Sequence, residues 1–434
     1  MRMNNRQKLF GKLGVLAAVA ATILSAAQQS IWADSNAPVW AMRGGDPGHT
    51  NQSSLFAPQA DIKTLWKVDL GANSFCQPAI GTDGTIYVTN DLGQLIAVSP
   101  QGQKLWTVSG ASSRASSPAI GNDGTIYFGS GDYVSTGNNA YVYAVNPDGT
   151  ELWRANVGSA HPYDPIIDAQ GRIHVTTWTQ SGLGSYYCLN PDGSQAWSGQ
   201  GIGSPALLPN GDTVSQMATS FRCYDSSGNT AWTTYYGYSL APPIVAGNGD
   251  LYAAKYDAEV WKIDPTTGAK LQTINTGRNG VKSLSIDDNA QRLYVSEDNV
   301  LQSFDLNGDL KWTYPTTGGR SGAALIDAAG NLVVAQGQVG NGIDYISSSG
   351  TLVWHFAADE SSHHFGMPTV GTGNVFYATN WTYNGSSGYL YAVVPEPSAL
   401  VLLAAGGLGL AGRGTRRVVR RAWGRRIKNA SRRL

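Results

Sequence analysis

Pro78–Asn90 reads PAIGTDGTIYVTN, and Pro118–Ser130, 40 residues on, reads PAIGNDGTIYFGS. Self-similarity at such a period marks a chain built from repeated supersecondary units. In each copy a tight turn, Asp83-Gly84 or Asp123-Gly124, separates two runs of strand-forming residues. The comparison extends downstream through QLIAVSPQGQKLW, YVYAVNPDGTELW, YYCLNPDGSQAW, FRCYDSSGNTAW, VWKIDPTTGAKLQ, LQSFDLNGDLKW and IDYISSSGTLVW. In these a Gly at 102, 149, 193, 228, 268, 308 or 350 supplies the turn before the last strand.

The units are marked by Trp66, Trp106, Trp153, Trp197, Trp232, Trp312 and Trp354, with Gln272 at the place where the series needs one more. Their spacing of 35 to 47 residues suits a four-stranded propeller blade and is too long for a leucine-rich repeat. A lone blade cannot bury both faces, so blades must stack around an axis. Each recurring Trp then reads as a wedge between neighbours. The strand carrying Trp66 precedes the first full unit, while the last unit, MPTVGTGNVFYATNWTYNGSSGYLYAVVP, ends without a Trp strand. Each end supplies what the other lacks. The expectation is an all-β, eight-bladed propeller over residues 34–394, closed by an N-terminal strand. Seven blades is the alternative if the weak unit at Ser283–Phe304 fuses with a neighbour. The composition agrees: 53 Gly, 13 Trp and 21 Tyr with only 14% charged residues suit many short strands and tight turns.

The ends differ in kind from the middle. Arg2, Arg6, Lys8 and Lys12 precede an apolar run from Leu13 to Ala27, then small residues suited to cleavage, so residues 1–33 read as a secretory signal peptide. At the other end the triplet Pro395, Glu396 and Pro397 precedes an apolar run, Ala399 to Ala411, and an Arg cluster including Arg413, Arg416 and Arg417. Residues 418–434 form a further basic tail. Between these ends the body holds 16 Lys and Arg against 29 Asp and Glu, a net charge of −13. Phosphate backbones repel such a globule, which argues against nucleic acid as a partner.

Two resemblances follow from these residues. The C-terminal order of parts resembles the PEP-CTERM sorting signal over residues 395–417. It implies export, transient membrane anchoring by the apolar run, and processing near Pro395–Pro397 by an exosortase-type enzyme. The repeats resemble the PQQ-like, or quinoprotein dehydrogenase-like, β-propeller unit through Ala97, Gly102 and Trp106; Ala144, Gly149 and Trp153; and Asp264 with Gly268. Even WAMRGGDPGHTNQSS resembles the lead-in of that family, through Trp40, Gly45, Asp46, His49, Thr50 and Ser53. Quinoprotein dehydrogenases hold PQQ with two adjacent cysteines and a Ca²⁺ site, whereas Cys76, Cys188 and Cys223 are isolated here. No cofactor or metal site is therefore expected.

Chemistry-bearing residues concentrate in the segments joining each Trp strand to the next unit. In PQQ-like propellers these run across one face toward the central channel, so the resemblance would bring Arg114, His161, Tyr163, Asp164, Tyr238, Arg278, Arg320, His363 and His364 to a funnel there. No catalytic triad, metal-binding motif or nucleotide loop occurs. The expected function is that of an exported, non-catalytic binding or scaffold protein at the surface or in extracellular matrix, with polysaccharide or surface proteins as partners. A PQQ- or metal-dependent sugar or alcohol oxidoreductase is the alternative.

Overall fold

The structure, a computed structural model, describes residues 38–396 apart from 60–61, 112, 133–138, 159, 179–183, 240, 317–321, 337–341, 358–362 and 383–387. The signal-like residues 1–33, Pro397, the apolar run, Arg413, Arg416, Arg417, the tail 418–434 and Arg320 lie outside the described residues. Among the described residues no helix is long and apolar enough to cross a membrane.

The strands form eight antiparallel sheets, one per repeat, arranged as the blades of a ring. Blades 1 to 7 span residues 79–109, 119–156, 161–200, 202–235, 244–275, 283–315 and 325–357. Blade 8 takes its inner strands from residues 363–395 and its outermost strand, Ile62–Asp69, from the N-terminal side. That strand pairs with Tyr389–Pro395, from Ile62 opposite Pro395 to Asp69 opposite Tyr389. The weak unit makes its own complete sheet of Ser283–Asp287, Arg292–Glu297, Val300–Asp305 and Leu310–Pro315, which rules out seven blades.

The Trp series explains how blades stack. Trp106 packs on Tyr87 of its own blade, with ring centroids 5.8 Å apart, and its indole N–H donates to the Pro147 carbonyl in the outer turn of the next blade, at 2.9 Å. Trp66, Trp153, Trp232 and Trp312 donate in the same way to Pro100, Pro191, Pro265 and Ser348. The turn glycine lies against the indole. A Cβ on Gly149, whose φ is +90°, would stand 2.8 Å from the Trp106 ring, and Gly102, Gly193, Gly228, Gly268 and Gly350 meet the preceding Trp equally closely. The glycine therefore serves two needs, positive φ and an open seat for an indole. In blade 8, where the outer turn is interrupted by the chain ends, Trp354 donates instead to Pro58, just before the closing strand. In each outer strand the register shifts beside the Trp position, as between Ala97 and Val98. This bulge leaves the residue before the tryptophan unpaired at the rim.

The lead-in Trp40–Pro58 runs as a strap along the inner strands, visiting blades in chain order. The Trp40 amide donates to Ile80. The amides of Ile120, Leu207, Val245, Ile286 and Ile326 donate to Ala41, Pro47, Gly48, Thr50 and Asn51 respectively. The His49 ring is buried, with its nitrogens 3.0 Å from the Arg43 carbonyl and 2.8 Å from the Pro205 carbonyl.

Buried carboxyls set the pH response of this body. Burial raises Asp46 in the strap to about 6, against its hydrogen bonds from Thr50 and Gly48. Burial also raises Glu297 to about 7, outweighing the Thr276 hydroxyl and the attraction of Arg278. For Asp164, burial works upward, but the Arg43 guanidinium and the Ser117 amide hold it at about 2. Asp168, similarly opposed by burial, is held at about 2 by His174 and Arg172. A raised carboxyl binds its proton more tightly in the folded state, so stability falls as pH rises from about 4 to about 7, by up to about 1.4 kcal/mol per unit for each group. The lowered pair act oppositely and lose stability as pH falls below about 4. Burial lowers the imidazoles of His49, His161 and His174, which add stability as pH rises toward about 6.5 and so oppose these carboxyls. The measurement that isolates one carboxyl is a difference: in thermal melts from pH 3 to 8, the stability of Glu297→Gln relative to the unaltered protein should rise between about pH 4 and 7. A difference between the two proteins that stays constant from about pH 4 to 8 would contradict this assignment.

Candidate ligand site on the loop face

In an antiparallel four-stranded blade, the first and third turns lie at one end of the strands. The second connection and the link to the next blade lie at the other. The ring thus has a turn face, made of short Asp- and Gly-rich turns, and a loop face of longer connections. All the predicted funnel residues that are described lie at the loop face, on its connections or, for His161, His363 and His364, in short strands paired with the loop-face ends of second strands.

The structure divides them. Arg114 is exposed, with left-handed backbone (φ 65°), and its amide donates to the Asp91 carbonyl. Its own carbonyl accepts from Gly131, whose carbonyl lies 3.1 Å from His161 Nδ1. Burial holds the His161 imidazole below its usual pKa, opposed by Gly131. Asp164 is buried too. It accepts from Arg43 at 2.6 Å, from the Ser117 amide at 2.6 Å and from Ser204 at 3.1 Å, so it anchors the strap to the loop face. His364 is buried against Trp381, with ring centroids 4.6 Å apart, in blade 8, across the ring from His161 in blade 3. His363 pairs through its backbone with Thr382, Arg278 is exposed on the connection before blade 6, and Arg320 lies outside the described residues.

Of the predicted funnel residues, Tyr163 and Tyr238 share a cavity. It measures about 470 Å³ and opens on the loop face between blades 3 and 5, lined by Arg43, Tyr163, Trp178, Ser204, Gln216 and Tyr238, among others. Gln216 donates to the Ser239 carbonyl at 2.7 Å, which fixes its amide. Tyr238 is exposed and lies 5.8 Å from Tyr256, so the aromatic lining continues outward along blade 5. The sequence reading missed Arg43, which sits in the lead-in, and Trp178. One signal was available: Trp178, Trp261 and Trp381 fall outside the repeat series, and Trp178 ends a second strand on the loop face while Trp381 is last but one in another.

The sequence matches the family described as outer membrane protein assembly factor BamB over residues 138–235 and 218–385, more than half of the chain. The chain belongs to this BamB-like family of PQQ-like propellers. The BamB-like body leads into a match to the PEP-CTERM protein-sorting motif at residues 393–417. That motif marks the protein for export and C-terminal membrane anchoring, followed by processing by an exosortase-type enzyme. No curated protein matches the sequence. Solved structures similar to this BamB-like propeller include quinohemoprotein alcohol dehydrogenase from Comamonas testosteroni, at 14% identity over 83% of this chain and 81% of that one, with a TM-score of 0.63. BamB from Moraxella catarrhalis shares 16% identity over 78% of this chain and 99% of that one, with a TM-score of 0.61. The computationally designed Ika8 protein gives 13%, 76%, 99% and 0.58 for the same quantities. At these identities the likeness is one of fold.

The residues present do not fit a PQQ site of the kind the family resemblance implies. Cys76 is buried on the connection into blade 1 and Cys188 and Cys223 in blades 3 and 4, none beside another, and burial pushes the thiols of Cys188 and Cys223 up to about 12. Among the described residues no three His, Cys, Asp or Glu side chains gather as a metal would require. Asp305, Asn307 and Asp309 alternate as the ligands of a short Ca²⁺ loop would, but they form a turn: Asp305 accepts from the amides of Asn307 and Asp309 and pairs with Lys311 at 2.6 Å.

Proposed function

We propose that this BamB-like propeller is an exported binding or scaffold protein whose ligand is a polysaccharide, and that one pyranose unit seats in the cavity between blades 3 and 5. The observation carrying this reading is the lining itself. Trp178, Tyr163 and Tyr238 present aromatic surface around a centre that offers Arg43, Ser204 and Gln216. A sugar ring has apolar C–H faces that stack on aromatics and a hydroxyl rim that needs fixed donors and acceptors, and a cavity of several hundred Å³ suits one or two such rings. Because Arg43 is already paired with Asp164, its charge is largely balanced, which favours a neutral unit over an acidic one. Support for the location comes from the contrast between these varied connections and the uniform turns of the other face, since binding groups gather on loops carried by a rigid scaffold.

The test is glycan-array binding by the full chain in mild detergent, compared with a Trp178→Ala/Tyr238→Ala variant of unchanged melting temperature. Each stacked ring contributes on the order of 1 kcal/mol, so the variant should lose at least about tenfold in affinity for any neutral glycan bound. Equal binding by both proteins would exclude the cavity, and no binding by either would exclude the ligand class.

A further inference from the structure

We infer that the anchored protein stands with its turn face toward the membrane, so that the loop-face cavity points away from the bilayer. The inference rests on where the last strand ends. Tyr389–Pro395 is the third strand of blade 8, and its register with Ile62–Asp69 runs to Ile62 opposite Pro395. A third strand starts at the loop face and finishes at the turn face, so Pro395 leaves the ring among the turns. Only Pro397 and Ser398 separate Glu396 from the apolar run that begins at Ala399. Fully extended, that connection reaches about 10 Å. The loop face lies a full strand length further away, about 17 Å for the five-residue Ser283–Asp287 strand of blade 6. The tether is too short to let the ring turn over.

The chemistry of the turn face gives this placement a second consequence. Asp83, Asp123, Asp148, Glu151 and Asp192 are exposed at this face and outnumber its exposed Lys63, Lys104 and Lys270, while Asp309 pairs with Lys311; an anionic bilayer surface repels the excess of negative charge within a Debye length of about 8 Å. The face is therefore held against the membrane by the tether alone, and cutting near Pro395–Pro397 frees the propeller without any adhesive contact to break.

Asn289 and Asn279 are exposed on opposite ends of the Ser283–Asp287 strand, the first on the turn face and the second on the loop face. The three native cysteines are buried, so single probes introduced as Asn289→Cys and Asn279→Cys can be labelled selectively. The full chain carrying a fluorophore at either position is reconstituted into phosphatidylglycerol-containing vesicles whose headgroups bear a quencher. Quenching at position 289 should exceed that at position 279 severalfold, and both should vanish in a chain ending at Glu396. Equal quenching, or stronger quenching at 279, would overturn the orientation. Persistent quenching of the shortened chain at 289 would show that the turn face binds lipid by itself and would overturn the tether-only account.

Discussion

Gly149→Ala is expected to lower stability by about 3 kcal/mol, although it adds a single methyl group. The new Cβ would meet the Trp106 ring at 2.8 Å, closer than any relaxed contact, while the backbone stands at φ +90°. The left-handed conformation costs a residue with a side chain about 1 kcal/mol. Displacing a seated indole costs a further 1 to 3, roughly, through lost packing and a stretched hydrogen bond to Pro147. Gly373→Ala isolates the first term, since Gly373 has φ +78° but no atom within 4 Å of the added methyl. It should cost about 1 kcal/mol. Urea unfolding of the two variants decides the matter: equal losses would mean that the wedge contributes nothing beyond backbone conformation.

Deleting residues 38–58, with the closing strand left in place, should abolish cooperative folding. The amides of Ile120, Leu207, Val245, Ile286 and Ile326 would lose their acceptors, at about 1 to 3 kcal/mol for each that stays buried. Asp164 would also lose Arg43, its ion-pair partner at 2.6 Å, and stranding a largely buried charge costs about 3 to 5 kcal/mol. The total, about 8 to 20 kcal/mol, is as large as the roughly 5 to 15 kcal/mol by which domains of this kind are stable. Arg43→Met gives a graded version, a loss of about 3 kcal/mol that shrinks as pH falls and Asp164 takes up a proton. Circular dichroism and protease resistance report the deletion, and denaturation at pH 4 and pH 7 reports the substitution. A deleted chain that still melts cooperatively would reduce the strap to decoration.

Most of the ring was legible because a repeat writes its own spacing. The seven tryptophans, Gln272 in the eighth place, the turn glycines and the complementary ends were all visible as pattern, and they led to eight blades with a closing strand. What pattern does not carry is the identity of a partner across the ring. Nothing near Arg43 in the chain points to Asp164, and a lead-in of glycines and polar residues gives no sign that its carbonyls serve successive inner strands. Charge and position on loops point to the funnel residues, and burial separates them. His161, Asp164 and His364 are spent on protein contacts, while the cavity draws on a tyrosine from each of two connections and on Trp178, whose only signal was that it did not belong to the repeat.

The pairing of Ile62–Asp69 with Tyr389–Pro395 also governs the timetable of biogenesis. A chain made from its N-terminus presents the closing strand first and must keep it unpartnered until almost the whole body has followed, the kind of long-range pairing that makes β-rich folding slow. Until then the growing array carries open strand edges and an inner strap with its later contacts unmade. The partner strand arrives immediately ahead of the sorting segment. Completion of the ring and engagement of the membrane are therefore neighbouring events in time, and a chain cut before they coincide would be released as an unclosed arc.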